Sequence, residues 1–103
     1  MNWTWLRRRM PVRSPKVPMY QPAKVRLFIK PYCSWCHRAI HWLDDHDIKY
    51  ESLDVIANEK AYEEMFRLSG QELAPVIEVD GQVLADFGPA ELERFWRRLG
   101  SKQ

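Results

Sequence analysis

A pair of cysteines separated by two residues is the part of this sequence best equipped for chemistry. Cys33 and Cys36 are the only cysteines among its 103 residues. A four-cysteine metal site or a framework of several disulfides therefore cannot form within one chain, and the two cysteines must be explained together. At this spacing the pair can interconvert between two thiols and a disulfide, and so exchange two electrons with a disulfide in another molecule.

Two other chemistries use cysteines at the same spacing. The stretch from Cys33 to His37 matches the C-x-x-C-H motif of c-type haem attachment. The two cysteines, together with His37 or His41, also offer nitrogen and sulfur ligands of the kind that zinc prefers. These histidines share a face of the predicted helix that is not its apolar face, so we expect both at the surface. We therefore expect neither haem nor zinc.

The elements beside the pair predict a different role for each sulfur. An apolar strand over 25–29 precedes the cysteines, and a helix follows it. The apolar stripe of that helix consists of Cys36, Ala39, Ile40 and Leu43. Cys36 should face inward as the resolving thiol, whereas Cys33 should be exposed at the helix start, where the macrodipole stabilises a thiolate. We expect Cys33 to be the nucleophile, with Lys30 as its nearby cation.

The rest of the sequence predicts an α/β fold with a small mixed sheet. The order β-α-β-α-β-β-α gives four strands and three helices. Capping and turn residues bound the remaining elements: a strand within 48–55, a helix between Asn58 and Gly70, a hairpin of 76–79 and 83–85 around Asp80-Gly81, and a helix that Gly88-Pro89 opens and Gly100 ends.

The N-terminal segment differs in composition from the rest. Nine of the sixteen Lys and Arg, and none of the fourteen acids, lie within residues 1–43. Arginines at 7–9 and prolines at 11, 15, 18 and 22 favour an extended, solvated chain. We expect a basic, proline-rich extension over 1–23, or a leader before a later start at Met10 or Met19, and a domain over 24–103. An alternative is that its arginines and tryptophans contact an anionic membrane or nucleic acid.

The sequence has no apolar run long enough for the core of a signal peptide or for a membrane span. We therefore expect a cytoplasmic protein with no membrane span and no specific nucleic-acid partner. In that compartment a cysteine pair is more often catalytic or metal-binding than a structural disulfide.

Residues 30–39 resemble the active-site segment of the glutaredoxins, a family with the thioredoxin fold. The C-P-Y-C-H-R-A pattern of that family becomes C-S-W-C-H-R-A here, with Ser34 for proline and Trp35 for tyrosine. The likeness continues through Leu-Ala-Pro at 73–75, where the family has T-V-P, and covers residues 24–99. It implies a monomeric thiol–disulfide oxidoreductase linked to glutathione, whose partners are disulfide-containing or glutathionylated proteins.

The resemblance also implies which residues bind glutathione. In the family, the proline that matches Pro75 is cis and lies against the active-site sulfur, and the residue that matches Ala74 pairs its backbone with the cysteinyl part of glutathione. The start of the last helix binds the γ-glutamyl carboxylate. The implied glutathione-binding residues are Lys30, Trp35, Ala74, Pro75, Phe87 and Gly88.

The sequence departs from the family at Ala85-Asp86, where glutaredoxins usually have two glycines. Asp86 brings a negative charge to a place that should hold an anion, although we expect free N–H groups at Gly88 to retain some capacity for one. Alternatives therefore stay open: a glutathione-independent, thioredoxin-like reductase partner, a non-enzymatic adaptor that binds through Trp35, and an iron–sulfur cluster carrier. Some glutaredoxins without proline at the position of Ser34 hold such a cluster between two subunits.

Overall fold

Strands and helices alternate along residues 20–101, the part of the chain that the computed structural model describes. Their order is the predicted β-α-β-α-β-β-α. The elements are β1 (Val25–Ile29), α1 (Ser34–Asp45), β2 (Glu51–Asp54), α2 (Glu59–Ser69), β3 (Val76–Val79), β4 (Gln82–Ala85) and α3 (Pro89–Ser101).

The four strands form one mixed sheet in the order β2-β1-β3-β4. β1 runs parallel to β2 and antiparallel to β3, and β3 and β4 form the antiparallel hairpin. The parallel pair is joined through α1, as parallel strands require a crossover connection. The predicted α/β architecture with a thioredoxin-like fold is confirmed. Because β1 is central and ends at Ile29, the segment that follows it emerges at one end of the sheet.

Alternation along the strands sends neighbouring side chains to opposite faces of the sheet. Leu27 of β1 lies in a core cluster with residues of α1 and α3, whereas the adjacent Phe28 lies in a second cluster with residues of α2. Two helices therefore cover one face and one helix covers the other. The largest fully buried side chains of the two clusters are Leu27, Leu43, Ile77, Val79, Leu92 and Trp96 on the first face and Phe28, Met65 and Val76 on the second.

Local signals predicted most boundaries, with two exceptions. Asn58 caps α2 by accepting the N–H of Ala61 at 3.1 Å, and Gly70 ends it in the left-handed conformation. Gly100, however, is not a helix stop, since α3 continues to Ser101. One glycine costs a helix only about 1 kcal/mol relative to alanine, and packing of the neighbouring Leu99 offsets that cost. Strand β2 is also shorter than the predicted 48–55.

Residues 20–23, which the sequence assigned to the extension, contact the domain directly. The indole N–H of Trp96 donates to the carbonyl of Tyr20 at 3.0 Å. The Tyr20 hydroxyl donates to Asp80, in the turn between β3 and β4, at 2.7 Å, and the N–H groups of Ala23 and Lys24 donate to the same carboxylate. The arginines, the tryptophans and both alternative start sites of the predicted extension lie outside the described residues. No described helix is long and apolar enough to cross a membrane.

Asp80→Asn is expected to destabilise the domain by about 1 kcal/mol at pH 7, or roughly 4–8 °C in Tm. It replaces an exposed carboxylate that accepts several hydrogen bonds by a neutral amide, which is a weaker acceptor. Asparagine tolerates the positive φ of 49° at this position, so backbone strain does not contribute. The Tyr20 hydroxyl is the main cause that lowers the pKa of Asp80.

The stabilisation by Asp80 should therefore be present above the unfolded pKa, about 3.9, and be lost as pH falls through the lower folded value. Calorimetry between pH 2 and 7 measures this, and the two proteins should converge in acid. Asp86→Asn is the matched control: Asp86 also has a positive φ, and its side chain has no partner among residues 20–101. Equal destabilisation by both variants would contradict the prediction.

Candidate active site

The site lies where β1 gives way to α1. Pro31 has no N–H to continue the ladder of the sheet, and the chain turns so that the N–H of Cys33 donates to the carbonyl of Lys30 at 3.1 Å. Cys33 then takes the extended backbone of an N-cap residue, with φ −95° and ψ 117°. Its carbonyl accepts the N–H of His37 at 3.2 Å, the first hydrogen bond of the helix. The sequence thus places one cysteine at the cap of α1 and the other in its first turn.

The Cys33 sulfur has two polar neighbours. It accepts the N–H of Cys36 at 3.3 Å, which is the hydrogen bond that a serine or aspartate makes at an N-cap. It also lies 3.8 Å from the carbonyl oxygen of Ala74, to which the thiol donates. The Ala74–Pro75 bond is cis, as the resemblance implies. The side chain of Cys33 is half-buried, so its sulfur remains accessible while being fixed by the helix start.

Cys36 is in a different environment, since it is only 1% exposed. Burial, followed by a hydrogen bond with Cys33 and the charge of the Cys33 sulfur, raises the pKa of the Cys36 thiol to about 12. A hydrogen bond with the main chain of Lys30 and the charge of the Lys30 side chain lower the pKa of Cys36. The predicted difference between an accessible sulfur and a buried one therefore holds, and Lys30 is placed close enough to affect the site.

Trp35 packs against the start of α3. A Cβ atom placed on Gly88 would lie 2.7 Å from Cζ3 of the indole, a distance that real contacts do not reach. The guanidinium of Arg38 lies 4.5 Å from the centre of the same indole, a cation–π contact on α1. The ring is nevertheless 50% exposed. The residue between the cysteines thus bridges the starts of two helices, and a glycine at 88 is required for that contact.

The N-terminus of α3 does not present the free N–H group expected at Gly88. The Gly88 N–H donates to the Oε1 atom of Glu91 at 2.9 Å. Phe87, also predicted to bind glutathione, has a buried side chain in the core below α3. Asp86 is exposed, has a φ of 56°, and donates its N–H to the carbonyl of Pro75 at 3.3 Å. Aspartate is one of the few residues that adopt this conformation readily, which explains how it can stand where the family has glycine.

Residues 88–91 contain a local capping pattern that the sequence-based expectation of an anion site did not include. Glutamate three residues after an N-cap is the second half of a capping box, and its carboxylate reaches back to the N-cap N–H. Gly88 and Glu91 have this spacing. The pattern therefore predicts the carboxylate that now occupies the helix start.

Exposed apolar side chains surround the accessible sulfur. Tyr32 directly precedes Cys33 and is 75% exposed, and Leu73 precedes the Ala74–Pro75 segment and is 56% exposed. Together with Trp35 they form a rim of large apolar groups, and such groups on a surface indicate contact with another macromolecule. Of these three residues, only Trp35 was expected from the sequence to bind a partner.

The histidines considered as zinc ligands lie at the surface. Both His37 and His41 are exposed, and a ring nitrogen of His37 lies 2.8 Å from the carbonyl oxygen of Pro31. Within residues 20–101, no group of three or more His, Cys, Asp or Glu side chains is arranged to hold a metal ion.

Comparison with known proteins agrees with this geometry. The family model for glutaredoxin matches residues 25–84. A glutaredoxin-like 8.6 kDa protein from the rubredoxin operon of Clostridium pasteurianum is 31% identical over 70 residues, which are 68% of this chain and 93% of that protein. Glutaredoxin 3 of Escherichia coli K12 is 33% identical over 60 residues, covering 58% of this chain and 72% of the relative.

A solved structure shares the fold. The glutaredoxin-like NrdH-redoxin of Escherichia coli has a TM-score of 0.59 at 20% identity, covering 69% of this chain and 92% of that one. The site and the sequence likeness agree, and the chain belongs to the glutaredoxin family, as a member with Ser34 and Trp35 between its two cysteines.

Proposed function

We propose that this protein is a thiol–disulfide oxidoreductase that reduces protein disulfides through a dithiol cycle, with Cys33 as nucleophile and Cys36 as resolving thiol. One observation carries the proposal: the two sulfurs lie on the same helix start but in unequal environments. Cys33 is accessible and accepts a helix N–H, whereas Cys36 is buried. A pair with one accessible and one protected sulfur can attack a substrate and then release it in order.

The first step is attack by the Cys33 thiolate on one sulfur of the substrate disulfide. A new bond forms between Cys33 and that sulfur, the substrate S–S bond breaks, and the other substrate sulfur leaves as a thiolate. The N–H of Cys36, which points at the Cys33 sulfur, stabilises its anionic form before the attack. The carbonyl of Ala74, 3.8 Å from the same sulfur, marks the side on which a partner's backbone would lie.

The second step is controlled by the environment of Cys36. Burial is the largest cause that raises the pKa of Cys36, and the hydrogen bond with Cys33 and the charge of the Cys33 sulfur add to it. A mixed disulfide removes that charge, so the pKa of Cys36 falls once a substrate is attached. Its thiolate then attacks the Cys33 sulfur, forms the Cys33–Cys36 disulfide and releases the second substrate thiolate. The proton of Cys36 passes to solvent or to the released thiolate, and two electrons pass from protein to substrate.

The apolar rim supports a protein as the substrate. Tyr32, Trp35 and Leu73 are large and exposed beside Cys33, and a folded or extended polypeptide can cover them whereas a small thiol cannot. The structurally similar NrdH-redoxin is a glutaredoxin-like protein described as having a thioredoxin-like activity profile, which fits this choice. We further propose that the cycle operates in a monomer and in the cytoplasm.

Reduction of glutathionylated proteins is the second candidate. The position of Lys30 favours it, since its charge acts at the cysteines and could attract an anionic substrate. In that reaction glutathione itself resolves the mixed disulfide, and Cys36 is not needed.

Cys36→Ser is expected to trap the first step. Incubated with a protein disulfide, the variant should accumulate a covalent complex linked through Cys33, because no internal thiol is left to resolve it. Non-reducing electrophoresis and mass spectrometry identify the complex, and dithiothreitol should dissociate it. Wild type under the same conditions should show the released, reduced substrate instead.

The double variant Cys33→Ser/Cys36→Ser is the matched control and should form no complex. A covalent complex in that control, or none with Cys36→Ser, would contradict the dithiol cycle. If Cys36→Ser kept its activity on a glutathionylated peptide and lost only its activity on protein disulfides, the second candidate reaction would be a separate route.

A further inference from the structure

We propose that Glu91 and Trp35 are specificity-determining residues that disfavour anionic small thiols and disulfides, so that a protein dithiol rather than glutathione is the preferred electron donor. This inference rests on the proposed disulfide chemistry at Cys33. It concerns the chain's own carboxylate at the start of α3 and the indole that packs against Gly88 there.

The first step of the argument is that the Gly88 N–H, the donor expected to bind an anion at the α3 start, is already used. The Gly88 N–H donates to Glu91 Oε1 at 2.9 Å, and Pro89, the next residue, has no N–H. Hydrogen bonds from the N–H groups of Gly88 and of Glu91 itself are the main causes that lower the pKa of the Glu91 carboxyl. Glu91 is therefore an anion at neutral pH, and an incoming carboxylate would have to displace it.

The second step concerns access. The indole of Trp35 lies against Gly88 so closely that even a methyl group there would collide with it. Arg38 stabilises this position of the indole. Its guanidinium lies 4.5 Å from the ring centre, and this contact would be lost if the ring swung out. A small ligand that reached for the α3 start would therefore have to move the indole as well as Glu91.

The third step is the local charge. Asp86 is exposed two residues before Gly88, and its N–H is bonded to the carbonyl of Pro75, beside the Cys33 site. Glu91 adds a second negative charge, which Arg94, 3.7 Å from its carboxylate, partly offsets, while the guanidinium of Arg38 is engaged with the face of Trp35. Charges that lie within a Debye length of each other, about 10 Å at moderate salt, are only partly screened by ions in solution. Approach of an anion from the α3 side is thus opposed.

A protein donor or substrate avoids these obstacles. It needs the Cys33 sulfur, which is half-buried, and the apolar rim, whose members Tyr32, Trp35 and Leu73 are 75%, 50% and 56% exposed. The arrangement therefore separates two classes of partner by charge and size, without changing the chemistry at sulfur.

The test is a charge series of small disulfides reacting with Cys36→Ser, which stops at the mixed disulfide. Glutathione disulfide is anionic, hydroxyethyl disulfide neutral and cystamine cationic, and each rate is divided by that of the same disulfide with dithiothreitol. Normalised rates should rise from anionic to cationic. Adding Glu91→Ala should raise the rate for glutathione disulfide by about tenfold, as expected for one freed charge-assisted contact, and leave the neutral compound unchanged.

Three further variants separate the causes. Glu91→Gln keeps an acceptor for the Gly88 N–H without the charge, and should give an intermediate gain that depends less on salt. Trp35→Ala should raise the rates of the anionic and neutral compounds together. Glu93→Ala, on the same helix but paired with Arg97 at 2.8 Å, is the matched control and should change nothing.

A wild-type-like preference in Glu91→Ala, or equal normalised rates across the series in the Cys36→Ser parent, would overturn the inference. Neither result would touch the proposed function, which fails instead if none of the three disulfides reacts at Cys33.

Discussion

Cys33→Ser is expected to abolish reduction of protein disulfides and of glutathionylated peptides alike. Both reactions begin with attack by the Cys33 sulfur, and a serine hydroxyl is neither ionised at neutral pH nor able to form a disulfide. Cys36 cannot take over, because its side chain is only 1% exposed and a substrate disulfide cannot reach its sulfur. This is the largest effect on activity that we expect from a single substitution.

The measurement is reduction of a protein disulfide with dithiothreitol as the electron source, together with release of glutathione from a modified peptide. Serine is a favourable N-cap residue, so the variant should keep its helix start and its Tm within a few degrees. Ser34→Ala, at the exposed neighbouring position, is the control for a small substitution at the same helix start and should keep most activity. Full activity in folded Cys33→Ser would assign the nucleophile to Cys36 and would be incompatible with the observed burial.

The sequence predicted those parts of the fold that depend on local patterns. Three such patterns are each encoded within a few residues and are present in the structure. They are the apolar strand at β1, the apolar stripe that starts at Cys36, and the caps at Asn58 and Gly70. The unequal roles of the cysteines followed from the same helical periodicity. A role that depends on position within one helix can be inferred from one sequence, because spacing alone determines it.

Contacts between distant segments were not predictable in this way. Tyr20 and Trp96 are 76 residues apart, and no periodicity links them, so the domain boundary was placed after residues that pack on the domain. Trp35 reaches Gly88 only because α1 and α3 lie side by side. The expectation that the protein binds glutathione came from the family resemblance. In the structure Glu91 occupies the α3 start instead. Its capping pattern is local, but the resemblance implied an anion site at the same place.

Trp96→Ala is expected to cause the largest loss of stability. Trp96 is 1% exposed, lies 5.4 Å from Trp42 between ring centroids, and belongs to the core cluster that joins α1 and α3 to the sheet. Replacing a buried tryptophan by alanine costs about 3–5 kcal/mol, a large part of the roughly 5–15 kcal/mol that stabilises a domain of ordinary size. The variant should be partly unfolded at 37 °C, and its urea midpoint should fall accordingly.

Trp96→Phe separates packing from hydrogen bonding at the same position. Phenylalanine keeps most of the apolar volume but removes the N–H that donates to the Tyr20 carbonyl at 3.0 Å, so we expect a loss of about 1 kcal/mol. Phe66→Ala, at a half-exposed aromatic position on α2, should also cost about 1 kcal/mol. Urea unfolding followed by circular dichroism measures all three variants. If Trp96→Ala were as mild as Phe66→Ala, the core between α1 and α3 would not depend on this indole.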